Sequence, residues 1–224
     1  MKILKITLVA VISSVLMVLP SVAKEIRLGV AAAMTAVSAS GSETLKTSGQ
    51  VSTTEASSVE TIPSIFAEIA MDNGFGLGVE VVPGSAEINS KARSRNNDEL
   101  GTNDSGTNSA SAEIDGLTSV YVLKSFDSGF FVKAGMTSTT VNTKEKLTTG
   151  SIYNNEDVDG NLFGLGFHHK TDGGAFFRVS GEYTDYDTIN LTSTTAADAT
   201  TTTKNKIKAD IDTVAFKLSV GKAF

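Results

Sequence analysis

Cysteine and tryptophan are both absent from the 224 residues. With no cysteine, a disulfide scaffold, a Cys-ligated zinc, an iron–sulfur cluster, a thiol nucleophile and the acylated cysteine of a lipoprotein are all excluded. Basic residues are in the minority, 19 Lys and Arg against 25 Asp and Glu, for a net charge of −6. A pI near 5.0 excludes nucleic acid as a main partner, because phosphate binding wants a basic face. Long apolar runs are also missing beyond residue 23, where no stretch stays apolar for even ten residues. That excludes a later membrane helix but not a membrane protein. In hydrocarbon every backbone N–H and C=O must be satisfied internally, and a closed sheet manages this as well as a helix does. A mean hydropathy of +0.03 suits a soluble domain and equally a barrel whose lipid-facing and lumen-facing residues cancel.

The first 23 residues read as an address. Lys2 and Lys5 precede an apolar run of 14 residues, 6–19, then Pro20 and the small-residue exit Ser21-Val22-Ala23. The run is shorter than the roughly 20 residues of a spanning helix, so a cleaved signal peptide is expected over an N-terminal anchor. Residues 24–224 would then be the mature chain, with 17 basic and 25 acidic residues and a net charge of −8.

The remainder alternates with period 2, the mark of β-strands. Eight strands are expected: near 26–35, 61–71, 75–82, 113–125, 130–137, 163–168, 177–184 and 214–224. Three connections are short and turn-like: Asp72-Asn73-Gly74, Phe126-Asp127-Ser128-Gly129 and Thr171-Asp172-Gly173-Gly174. Four are long and polar: 37–60, 84–112, 144–155 and 188–205, the last a Thr-rich tract. Strict long–short alternation is the signature of an up-and-down meander with its long loops at one end. The expected fold class is all-β, an eight-stranded antiparallel up-and-down transmembrane β-barrel.

The two parities differ in chemistry. One carries Ile26, Leu28, Val30, Phe163, Leu165, Phe216, Leu218 and Val220, with His169 and Lys222 near strand ends. The other carries Arg27, Glu68, Glu80, Lys133, Arg178, Glu182 and Lys217, interleaved with Gly29, Gly76, Gly78, Gly135, Gly164, Gly166 and Gly221. An eight-stranded barrel has an interior just wide enough for side chains. Glycines would open room there, and charges of both signs would fill it and pair, since an isolated buried charge is costly. A soluble sandwich or lipocalin would reverse the facing. Charge and glycine on one parity, a terminal Phe on the other and the export signal favour the membrane barrel. Either parity of the fourth strand can face inward. Phe66, Val82, Val120, Val122, Phe131 and Phe176 are the apolar inward candidates.

The stretch from Val214 through Phe216, Leu218 and Val220 to Phe224 resembles the C-terminal assembly signal of bacterial outer-membrane proteins, with Lys222 where that pattern is usually apolar. The segments 129–135 and 174–186 resemble hairpin strands of the OmpA-like and opacity-protein-like outer-membrane barrel family. The resemblance implies an eight-stranded barrel in the bacterial outer membrane, without the periplasmic domain of full OmpA proteins. It implies outer-membrane lipids and lipopolysaccharide as surroundings, with periplasmic chaperones and the barrel-assembly machinery as partners in biogenesis.

Catalytic signals are weak. His168-His169 is followed by Lys170 and Thr171, so the His-x-Ser of lipid A deacylase-like barrels is missing. His168, Ser180 and Glu182 could meet across two strands, more simply as a luminal hydrogen-bond network. The acidic run 155–161 lacks the twelfth-position Glu of a calcium loop, where Gly166 stands. Lys91, Arg93 and Arg95 could touch lipopolysaccharide phosphates or be an ordinary polar extension. The 74–78 glycines precede no helix and are not a dinucleotide fingerprint. No cofactor, no metal and no enzymatic activity are expected. The expected function is a structural or surface-interaction barrel with a side-chain-filled lumen, working through its four long loops. The alternative is a narrow channel or carrier for small solutes or hydrophobic molecules, OmpW-like, which an apolar inner cluster would mark.

Overall fold

The computed structural model describes residues 25–46, 48–89, 93–95, 106–147, 150–195 and 204–224. The expected signal peptide, 1–23, lies outside them. The elements are β1 (Glu25–Thr44), β2 (Val51–Ala70), β3 (Phe75–Val81), β4 (Ser85–Asn89), β5 (Arg93–Arg95), β6 (Gly106–Ser125), β7 (Phe130–Lys146), β8 (Glu156–Lys170), β9 (Ala175–Tyr186), β10 (Ile189–Thr192) and β11 (Lys206–Ala223). Consecutive strands pair antiparallel around the ring β1-β2-β3-β6-β7-β8-β9-β11. The ring closes where β11 returns to β1, in register from Arg27↔Ala223 to Thr44↔Lys206. This is the expected eight-stranded up-and-down barrel. β4 and β5 continue the line of β3 along β6, and β10 continues β9 along β11.

The three short turns share one construction. Met71, Phe126 and Thr171 each donate a backbone N–H to the carbonyl four residues on. The glycine before that acceptor, Gly74, Gly129 or Gly174, takes a φ of 79–84°. Three-residue hairpin loops need the left-handed conformation at this place, and glycine adopts it without steric cost.

Sidedness follows the alternation. Ile26, Leu28, Val30 and Met34 on β1 are about half exposed, as are Phe163, Leu165 and Phe167 on β8 and Phe216, Leu218 and Val220 on β11. Nine residues of tilted strand, from Ile26 to Met34, rise about 25 Å, the height of a barrel's apolar band. Inside, four aromatic rings lie over glycines directly opposite them. These pairs are Gly29↔Phe66, Gly78↔Tyr121, Gly166↔Phe131 and Gly221↔Phe176. A Cβ on Gly29, Gly78 or Gly221 would stand 2.4–2.5 Å from a ring carbon. The glycines therefore seat rings first, and the charges sit among the rings.

Two expectations are corrected. The 37–60 connection is mostly strand, since β1 and β2 stay paired to Thr44↔Val51 and leave only 45–50 between them. Likewise 84–112 contains β4, β5 and the start of β6, and 188–205 contains β10. Beyond the apolar band a strand has water on its outer face. Most of its outward positions there are polar, such as Ser38, Ser40, Thr53 and Glu55, which composition alone reads as loop. The fourth crossing is also settled. A register shift between Asp115 and Thr118, with Gly116 at φ +66, precedes the inward pair Tyr121 and Leu123. Val122 is 48% exposed on the outside and Val120 shares its parity, so neither belongs to the lumen.

Candidate functional site: lumen network and side opening

The inward charges fall into two layers. Nearest the short turns, Glu68 on β2 is almost fully buried and receives both terminal nitrogens of Arg178 from β9, at 2.6 and 2.8 Å. Tyr121 on β6 donates its hydroxyl to the same carboxylate at 2.8 Å, and Arg27 lies 3.9 Å away. The Arg178 guanidinium rests 4.9–5.7 Å from the ring centres of Phe66, Phe131 and Phe176. Such contacts suit a weakly hydrated planar cation. Glu25 joins this layer by pairing with Arg27 at 2.5 Å and with Lys170.

The second layer is a cycle of alternating charge. Lys217 reaches Glu80 at 2.6 Å and Glu182 at 2.7 Å. Lys133 reaches Glu182 at 2.5 Å and Glu80 at 3.6 Å, with its ammonium over the Tyr121 ring at 4.4 Å. Ser64 donates to Glu80 at 2.6 Å. All seven residues expected in a luminal network are thus brought inside. Sequence reasoning missed Glu25, Lys170 and Tyr121, although all three share the inward parity of their strands.

Above these layers the lumen turns apolar. Val37, Val141, Tyr153, Val158, Tyr186, Ile189, Leu191 and Ile211 form one buried cluster toward the long-loop end. Between cluster and ions lies a cavity of about 270 Å³, floored by Glu80, Glu182 and Lys217 and walled by Thr35, Thr137, Leu162 and Thr213. Its lining includes Ile62 and Pro63 on one side and Val82, Pro83 and Gly84 on the other. There the β2–β3 ladder stops at Ile65↔Val81, while Val82 turns toward Leu117 and β4 follows β6. Proline has no N–H to donate, so neither Pro63 nor Pro83 can donate a hydrogen bond to extend that ladder. The result is a side opening at the upper edge of the apolar band.

Other candidates are not assembled. His168 stands opposite Arg178, and Ser180 opposite Gly166, while Ser180 donates to Glu182 at 3.3 Å. No relay from Ser180 to His168 exists. The acidic run is the start of β8 rather than a loop. Asp157 accepts from Thr140, and Val158 and Gly160 point inward. No group of three or more potential metal ligands occurs among the described residues. Lys91, and the side chains of Arg93 and Arg95, fall outside them. In the C-terminal strand Phe216, Leu218, Val220 and Phe224 all face outward, and Phe224 exchanges backbone hydrogen bonds with Ile26 at 2.9 and 3.1 Å.

The chain has the fold of the bacterial outer-membrane β-barrels. It is similar to the outer membrane protein OprG from Pseudomonas aeruginosa, with a TM-score of 0.59, 16% identity, and 88% of this chain and 96% of that one covered. The outer membrane protein AlkL aligns over 88% of this chain and 90% of its own, at 11% identity and a TM-score of 0.49. The outer membrane protease OmpT from Escherichia coli aligns over 90% and 97%, at 7% identity and 0.48. No protein-family model and no curated protein sequence matches the chain.

Proposed function

We propose that this protein is a non-catalytic outer-membrane carrier, closed along its axis and open at its side. It would pass small, uncharged, partly apolar molecules between the upper lumen and the outer leaflet. The observation that carries this reading is the cavity that meets the side opening between Pro63 and Pro83. An apolar cluster above and a neutral ion cycle below, with Glu60 the one further carboxylate in the lining, suit a solute without net negative charge. They do not suit an ion, which would lose its hydration there. On this reading the short turns and both chain ends face the periplasm, after removal of residues 1–23. The outward C-terminal residues act as the assembly signal read by chaperones and the barrel-assembly machinery.

Two measurements test it. In planar bilayers the purified protein is expected to show no discrete ion conductance, because two layers of paired charge and four rings occupy the axis. In cells, uptake of a small apolar solute should rise on expression. It should fall to background when Pro63→Cys and Pro83→Cys are bridged across the opening by a short bis-thiol linker. Steady single-channel steps, or uptake indifferent to the bridge, would remove the proposal. For the assembly signal, deleting Phe224 should cut the yield of folded protein in membranes several-fold, read as heat-modifiable gel migration.

A second reading, a surface-interaction barrel, is favoured by the strands themselves. β1 and β2 stay paired ten positions beyond Met34↔Thr61, a long polar extension above the apolar band. A binding partner retained by a variant with the opening sealed would separate the two readings.

A further inference from the structure

We propose that the turn end of the lumen holds a binding site for a small monovalent anion, a halide in its simplest form, between His168 and Arg178. Both residues face inward and are direct cross-strand partners on β8 and β9. Such partners have Cβ atoms about 4.5–5.5 Å apart. Arg178 is 6% exposed, and Glu68 takes its two terminal nitrogens. Its Nε has no hydrogen-bond partner among the described residues, and neither ring nitrogen of His168 has one. Three unsatisfied polar atoms thus belong to one cross-strand pair. Buried donors in native proteins are almost always satisfied, by protein, water or a bound ion, and an unmet one beside a charge is costly.

Charge decides between water and an ion. The side chains of this layer are Arg27 and Arg178 against Glu25 and Glu68, and Lys170, 40% exposed at the water-facing rim, adds one positive charge to them. The layer above it, Lys133 and Lys217 against Glu80 and Glu182, balances. Water would satisfy the donors and leave the added charge in place, whereas a monovalent anion satisfies the donors and offsets that charge. Both carboxylates that face the pair are already engaged, Glu68 by Arg178 and Tyr121, and Glu25 by Arg27 and Lys170. The walls are apolar. Phe176 lies 5.1 Å from the His168 ring, and Phe66 lies 6.1 Å from Phe176. An ion there sheds part of its hydration, which favours a halide over sulfate or phosphate. Arg178 Nε donates to it, and His168 donates its ring N–H.

The test uses bromide. Crystals of the intact barrel soaked in sodium bromide should show an anomalous peak within hydrogen-bond reach of Arg178 Nε and the His168 ring. In solution, the urea midpoint should be higher in chloride than in gluconate at equal ionic strength. That difference should vanish in His168→Phe, which keeps the ring volume and removes both nitrogens. An ordered water with no anomalous signal overturns the proposal, and so does a chloride effect that persists in His168→Phe.

Discussion

Replacing Glu68 with Gln should be among the most damaging single changes to this barrel, costing about 3–5 kcal/mol, as breaking a buried ion pair from one side does. The carboxylate is the common acceptor for Arg178 and Tyr121. Without its charge, Arg178 stays trapped among three rings without its carboxylate partner. The expected result is a large fall in the urea midpoint of the folded barrel in lipid, with the folded gel band lost at lower temperature. Replacing the partners together, Glu68→Met with Arg178→Met, should restore much of the loss, because apolar residues of similar volume substitute well for buried pairs. As a control, Lys144→Ala removes an exposed partner of Glu113 and should leave stability almost unchanged, because solvent screens exposed ion pairs. If Glu68→Gln behaved like the control, the lower charge layer would not be what closes the lumen.

The second large effect is steric. Gly78→Val should destabilise the barrel by about 1–3 kcal/mol or more, the usual cost of forcing extra carbons into a packed interior. A Cβ at Gly78 meets the Tyr121 ring at 2.5 Å and its hydroxyl at 2.7 Å. The ring must move, and its hydrogen bond to Glu68 goes with it. Tyr121→Phe isolates the second part and should cost about 1.5–3 kcal/mol, the range for hydrogen bonds to charged groups. The double variant Gly78→Val, Tyr121→Ala should recover stability relative to Gly78→Val alone. Gly181 is the contrast, since a Cβ there meets nothing within 4 Å, and Gly181→Ala should be close to neutral.

Much of this was legible in the residues. The apolar parity, the three glycine turns and the seven luminal charges are periodic signals, and membrane thickness makes period 2 strict over about ten residues. Outside the band that constraint lapses. The stretch 51–60 is mostly Ser, Thr, Glu and Ala, with only Val51 and Val59 as larger apolar residues, yet it is strand, held by its partner β1. The facing of β6 was ambiguous because both parities carry apolar residues and a bulge at 115–118 resets the phase. One signal was there unread, since Tyr121 falls in register with Gly78 and Gly135, and an inward ring needs a bare backbone opposite. The side opening was not legible. It depends on two prolines 20 positions apart both falling just past the end of the β2–β3 ladder, a fact of register rather than of composition.

The way the ring is closed bears on how the chain folds in time. Every neighbouring pair but one joins consecutive crossings, so hairpins can zip in order from either end. The exception joins Arg27 to Ala223, nearly the whole chain apart, and loop-closure entropy makes such a contact slow to form. Until that last seam shuts, the first and final strands each present a bare hydrogen-bonding edge. The edge of the final strand is the natural handle for any catalyst that inserts the sheet.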